Sequence, residues 1–81
     1  MRNAKGMIPL NELANGECGQ VERIDVQGKV KRRLVEMGIT PGVEIKISKR
    51  APLGDPIEIQ LRGYELTLRG EDARLIQVLA K

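Results

Sequence analysis

The sequence contains no histidine, phenylalanine or tryptophan, and it has only one tyrosine and one cysteine. Without histidine, the chain lacks the commonest metal ligand and the commonest general base near neutral pH. Ser-His-Asp and Cys-His catalytic arrangements are therefore excluded. The single cysteine, Cys18, excludes an intrachain disulfide and the Cys-x-x-Cys pairs of zinc ribbons and thioredoxins. These absences predict a protein that is not an enzyme and that requires no cofactor.

Long apolar runs are also missing. No stretch approaches the ~20 apolar residues that a membrane-spanning helix needs. Near the N-terminus, Pro9, Asn11 and Glu12 interrupt the apolar residues that a signal peptide would require. The sparse use of cysteine suits a reducing compartment. We therefore expect a cytoplasmic protein that meets the membrane only indirectly, through a partner.

The size and charge of the chain narrow its class further. Its 81 residues predict one domain over residues 7–81, preceded by a flexible tail over residues 1–6. Fourteen basic residues are mixed with eleven acidic ones, which gives a net charge of only +3. Nucleic-acid binders usually concentrate basic residues on one face and add aromatic side chains that stack on bases. The composition therefore argues against nucleic acid as the partner.

Three stretches alternate strictly between apolar and polar residues, as half-buried strands do. Their apolar members are Val43, Ile45 and Ile47; Ile57, Ile59 and Leu61; and Tyr64, Leu66 and Leu68. A two-residue turn at Arg62 and Gly63 would pair the last two strands with all their apolar residues on one face. Shorter strand patterns occupy residues 7–10, 19–26 (with a bulge after Val21) and 76–79.

One helix is predicted over residues 29–37, because Val30, Leu34 and Met37 fall on one face and Gly38 can end it. A short helical turn is expected near residues 71–75. Five to six short strands with so little helix favour an all-β fold, a small barrel in which closure removes exposed sheet edges.

Two segments are candidate partner-binding surfaces. The helix carries Lys29, Arg32 and Arg33, which are either a contact surface or simply a solvated face. Residues 51–56 (APLGDP) join two clean strands and are too long for a tight hairpin. This stretch, with Pro52, Leu53, Gly54, Asp55 and Pro56, is either a rigid connector whose Leu53 folds back onto the barrel or a preformed contact loop with an apolar anchor.

Cys18 is the only soft metal ligand of the chain. One ligand is fewer than the three or four that tight sites generally need. A small residue at the start of a strand is the favoured explanation, so Cys18 is only a weak candidate for metal binding.

Several stretches in this order resemble the FeoA family. Residues 33–42 (RLVEMGITPG) match its "RRL-x-E-[LM]-G-[IL]-x-P-G" segment, residues 51–56 its "APLGDP" loop, and residues 66–69 its "L-x-L-R" element. The opening residues 10–13 and 16–17 and the closing residues 71–78 are similar to the family as well. The resemblance spans residues 8–79.

This resemblance implies an SH3-like barrel and a small cytoplasmic accessory of FeoB, the ferrous iron transporter with a cytoplasmic GTPase domain. The implied function is to bind and modulate FeoB. The same fold occurs in the C-terminal domain of DtxR-type repressors, so the alternative function is a transition-metal-binding or metal-sensing module. Weak or transient binding of Fe²⁺ or another divalent metal is compatible with either function. Small barrels also self-associate through edge strands, which makes a homo-oligomer a further expectation.

Overall fold

Alternating apolar residues form six antiparallel strands in the computed structural model, which describes residues 6–81. The strands are β1 (Met7–Pro9), β2 (Cys18–Ile24), β3 (Glu44–Arg50), β4 (Ile57–Leu61), β5 (Tyr64–Leu68) and β6 (Ile76–Ala80). The helices are α1 (Gly28–Glu36) and α2 (Gly70–Ala73), with a 3₁₀ turn at Leu10–Glu12. The predicted all-β class is confirmed. Of the predicted tail over residues 1–6, residues 1–5 lie outside the described part.

The strands follow one another across the sheet in the order β1-β6-β2-β3-β4-β5. The barrel-like sheet is not closed as expected, because β1 and β5 are end strands that do not pair with each other. The 3₁₀ turn after β1 contacts α2, which follows β5. In a complete barrel, β1 and β5 would be joined by backbone hydrogen bonds. Here the contact between the 3₁₀ turn and α2 takes the place of that pairing. The predicted bulge in β2 is present, as a register shift between Val21 and Arg23 against β6.

The β4–β5 hairpin has the predicted register, with Ile59 opposite Leu66 and Ile57 opposite Leu68. Arg62 and Gly63 both have positive φ, at 50° and 83°, as a type I′ turn requires. One expectation was wrong, because the Tyr64 side chain is 66% exposed instead of buried. Tyr64 begins the end strand next to the turn, where no further strand covers it.

Helix α1 begins and ends one residue earlier than predicted. Leu34 is buried, and Val30 and Met37 are partly buried against the core. The helix ends in a Schellman motif, because the N–H of Gly38 donates to the carbonyl of Val35 (2.9 Å) and that of Ile39 to Leu34 (3.0 Å). Gly38 has φ +98°, a conformation that glycine adopts without strain.

The core is almost wholly aliphatic, as the lack of aromatic residues requires. The buried hydrophobic residues are Leu10, Leu13, Val21, Ile24, Leu34, Ile39, Val43, Ile45, Ile47, Ile57, Ile59, Leu61, Leu68, Ala73, Ile76 and Val78. Among residues 6–81 no polar or charged residue is fully buried. No helix in that range has the length and apolar character needed to cross a membrane.

Candidate protein-interaction surface

The β3–β4 loop, residues 51–56, projects one apolar side chain into solvent. Leu53 is 96% exposed. Of the two alternatives predicted for this loop, the one in which Leu53 folds back onto the barrel was therefore wrong. The N–H of Gly54 donates to the carbonyl of Ala51 (2.7 Å), and the N–H of Ala51 donates to that of Pro56 (3.0 Å). These bonds and two prolines, Pro52 and Pro56, limit the conformations of the loop. Leu53 is thus exposed at the tip of a conformationally restricted loop.

Asp55 ties this loop to α2. Its carboxylate Oδ1 accepts a hydrogen bond from the backbone N–H of Gly70 at 2.8 Å. The side chain of Arg69, the N-cap residue of α2, makes no capping bond. A carboxylate from another loop therefore satisfies a donor that the helix start would otherwise leave free.

Arg33 ties α1 to the same short helix from another side. Its Nη2 lies 2.9 Å from Oδ2 of Asp72, and the Asp72 side chain is only 15% exposed. Both predicted contact segments are thus linked to α2. Asp55 of the loop bonds to Gly70, and Arg33 of α1 pairs with Asp72. Lys29 and Arg32 are exposed, and neither side chain enters a hydrogen bond or ion pair within the described residues.

Two adjoining clefts separate the C-terminal half of α1 from β5, and Met37 lines both. The first, of about 360 Å³, is lined by Arg33, Met37, Thr67, Leu68, Arg69 and Asp72. The second, of about 350 Å³, extends to the hairpin turn and includes Glu36, Leu61, Arg62, Tyr64 and Leu66. We call the pair the α1–β5 groove. It combines apolar walls with charged ends, a composition suited to binding protein.

Cys18 lies elsewhere, at the start of β2. It is opposite Lys46 of β3, which in turn is opposite Gln60 of β4. All three line a shallow depression on the sheet surface. Over residues 6–81 no three His, Cys, Asp or Glu side chains come together in a way that could hold a metal ion.

Sequence reasoning missed the residues that connect the predicted segments. Gly70 and Asp72 were assigned only to a helical turn, and Thr67 and Leu66 only to a strand. Their role depends on which distant elements they meet: Asp55 is 15 residues from Gly70, and Arg33 is 39 residues from Asp72. The one available signal was Asp72 itself, an acidic residue in the first turn of a predicted helix.

Comparison with known proteins identifies relatives for nearly the whole chain. The model of the FeoA domain matches residues 8–80. A fusion of Fe(2+) transport protein A with the Fe(2+) transporter FeoB from Porphyromonas gingivalis is 36% identical over 69 residues. That match covers 85% of this chain but only 8% of the fusion protein.

Solved structures agree. A FeoA-like protein from Clostridium acetobutylicum is 43% identical with a TM-score of 0.86, over 91% of this chain and 86% of that one. FeoA from Stenotrophomonas maltophilia, solved with zinc and described as an SH3 domain protein, is 29% identical with a TM-score of 0.74, over 85% and 86% of the two chains. A manganese-dependent transcriptional repressor shares the fold at 22% identity, with a TM-score of 0.85, over 93% of this chain and 37% of that one.

Proposed function

Because the chain belongs to the FeoA family, we propose that it is a non-enzymatic, cytoplasmic accessory protein of ferrous iron uptake that binds a FeoB-type transporter and modulates it. The fusion protein of P. gingivalis supports this proposal, since it combines a similar domain and a FeoB transporter in one chain. Tethering keeps two modules at high effective concentration and so suits partners that act together.

The observation that carries the proposal is the exposure of Leu53. The Leu53 side chain is 96% exposed. It can contribute hydrophobic stabilisation only to a complex in which a partner covers it. Full burial of a leucine side chain at an interface removes apolar surface worth about 1.5–3 kcal/mol. Lys29 and Arg32 are exposed on α1, which is linked to the loop through α2, and they extend the same contact surface with positive charge.

Modulation follows from selective binding. A protein without catalytic groups acts on a transporter by binding one of its conformations more tightly than another, which shifts the population toward that conformation. The proposed partner has at least two such states, with and without bound nucleotide. We propose that the loop and α1 contact the cytoplasmic part of the transporter in one of these states.

The test is ferrous iron uptake in cells that carry Leu53→Asp. The carboxylate should abolish apolar contact at the loop tip and lower uptake, while circular dichroism and thermal unfolding stay as in the parent chain because Leu53 packs against nothing. Leu53→Met is the matched control, since it keeps an apolar side chain of similar size and should keep uptake.

Binding of the purified chain to detergent-solubilised FeoB, with and without nucleotide, gives the second readout. Loss of binding by Leu53→Asp but not by Leu53→Met supports the proposal. Normal uptake and normal binding in Leu53→Asp would remove the loop from the interface.

A second candidate function is binding of a divalent metal. The zinc complex of the S. maltophilia relative favours it. Within the described residues of this chain Cys18 has no ligand cluster around it. We propose that any Fe²⁺ or other divalent metal binds weakly and transiently and is not required for contact with the transporter.

A further inference from the structure

The outer edge of β5 carries unpaired backbone groups. The residues that flank a two-residue turn form a hydrogen-bonded pair, and the pairs then alternate along the hairpin. Tyr64, Leu66 and Leu68 therefore direct their backbone groups at β4, and Glu65 and Thr67 direct theirs away from it. Neither Glu65 nor Thr67 has another backbone partner in the described turns and loops.

The two ends of the sheet differ in how they are protected. Strand β1 has three residues and ends at Pro9, which has no N–H. Strand β5 has five residues, none of them proline. Native proteins usually blunt a free edge of this length, because it is a template for another strand. Apart from the charge of Glu65, the β5 edge has none of these protections, since it contains neither a proline nor a bulge, and it remains available for binding.

The α1–β5 groove runs beside this edge. Its far wall is the C-terminal part of α1, at Arg33, Glu36 and Met37. A strand added to this edge would lie roughly 4.8 Å from β5, on the side where the groove opens. The edge of a second copy would bring its own sheet with it, and α1 stands in the way. The geometry therefore favours a single extended segment.

The groove also defines the chemistry of that segment. Leu66 and Met37 are only partly buried and Tyr64 is mostly exposed, so apolar side chains at alternate positions of the segment would cover them. Arg62, at the hairpin end, has no ion-pair partner within the described residues. Arg69, at the other end, has only a loose pair with Glu71 at 3.6 Å. Each end of the groove therefore carries an arginine that can pair with a carboxylate, and at the hairpin end Glu36 also lines the wall.

We propose that the β5 edge takes an extended segment of the transporter as a seventh strand, with alternate apolar residues on Met37 and Leu66 and acidic residues near Arg62 and Arg69. This inference rests on the proposed function and specifies one mode of contact with the same partner. It places a second contact on the molecule, reached from the Leu53 loop through α2.

The test combines variants with hydrogen exchange of the complete chain bound to detergent-solubilised FeoB. Thr67→Pro removes one outward N–H, and Thr67→Val keeps it with a β-branched side chain. We expect binding to weaken about tenfold in Thr67→Pro and to stay within about twofold in Thr67→Val. Tyr64→Ala, at an exposed position that the fold does not need, should weaken binding as well.

In the complex, the amides of Glu65 and Thr67 should gain protection from exchange. A complex in which only residues 51–56 gain protection would overturn strand addition and leave the proposed function intact. Absence of any complex would overturn both. Protection of the same amides in the chain alone, rising with its concentration, would assign the edge to a second copy and overturn the inference.

Discussion

The carboxylate of Asp55 caps helix α2 from outside, by accepting a hydrogen bond from the N–H of Gly70 at 2.8 Å. This contact holds the base of the Leu53 loop against the helix that also receives Arg33. The loop and α1 are therefore linked through α2, although neither needs to touch the other. The loop and α1 therefore have a fixed relative position when a partner contacts either of them.

Asp55→Ala should lower the free energy of unfolding by about 1 kcal/mol, the usual cost of losing a helix cap. For a domain of this size the melting temperature should fall by about 4–8 °C. Asp55→Asn keeps a carbonyl acceptor and should retain most of the stability. Equal losses in both variants, measured by thermal unfolding, would show that the hydrogen bond is not what matters at Asp55.

Arg33→Ala should cost about 0.5 kcal/mol, because ion pairs with an exposed partner contribute little. The side chain of Arg33 is 55% exposed. Arg32→Ala is the matched control: Arg32 is the adjacent residue and has no ion pair within residues 6–81. The difference between the two variants in urea unfolding should shrink at high salt, which screens exposed charges. A difference unaffected by salt would contradict an electrostatic origin.

Arg50→Ala should have a larger effect, about 2 kcal/mol, since charged hydrogen bonds are the stronger ones. Its Nη2 donates to the carbonyls of Asn11 (2.6 Å) and Leu13 (2.5 Å), and its Nη1 to Oδ1 of Asn15 (3.1 Å). Arg50→Lys keeps the charge but loses the planar fork, so it should restore only part of the stability. Full restoration by lysine, in a urea titration, would mean that charge alone suffices.

Gly19→Ala should destabilise the fold by about 1–3 kcal/mol through overpacking. A Cβ at residue 19 would lie 2.9 Å from Cγ2 of Val78 and 3.1 Å from Cδ1 of Leu13, both buried. The neighbouring variant Cys18→Ala makes a small change at a partly exposed site and should stay within about 0.5 kcal/mol of the parent. A neutral Gly19→Ala would show that β2 and β6 can separate without cost.

Cys18→Ser should leave the affinity for Fe²⁺ unchanged in an anaerobic titration. A lone thiol supplies one ligand where tight sites use three or four, and within the described residues no ligand cluster surrounds it. Stoichiometric, tight binding that disappears in Cys18→Ser would instead establish a metal site at β2 and favour the metal-binding function over the one proposed.

Local patterns were enough to predict most of the secondary structure. The β4–β5 register was predictable because one face is apolar throughout and Arg62-Gly63 permits only a short turn. Helix α1 was predictable from the spacing of Val30, Leu34 and Met37 and from the glycine that follows. In both cases the determining residues are close together in the chain.

Contacts between distant segments were not predictable in the same way. Nothing near Arg50 indicates that its guanidinium meets carbonyls almost 40 residues away, and nothing near Asp55 indicates Gly70 as its donor. Whether the sheet closes depends on how much it curls over six strands, which no single strand encodes. The prediction therefore identified the loop, the helix and the short helical turn, but it missed that this turn, α2, links the loop to α1, and it missed the groove along β5.

The pairing of β1 with β6 sets Met7 opposite Leu79. The first and last strands therefore lie side by side, so a short linker could join them and the chain could be opened elsewhere. A circular permutant cut between Arg62 and Gly63 would keep the Leu53 loop whole while severing the β4–β5 connection. Because both ends lie at the same place, a larger protein could be fused to either one and leave the Leu53 loop and the α1–β5 groove accessible in the same orientation.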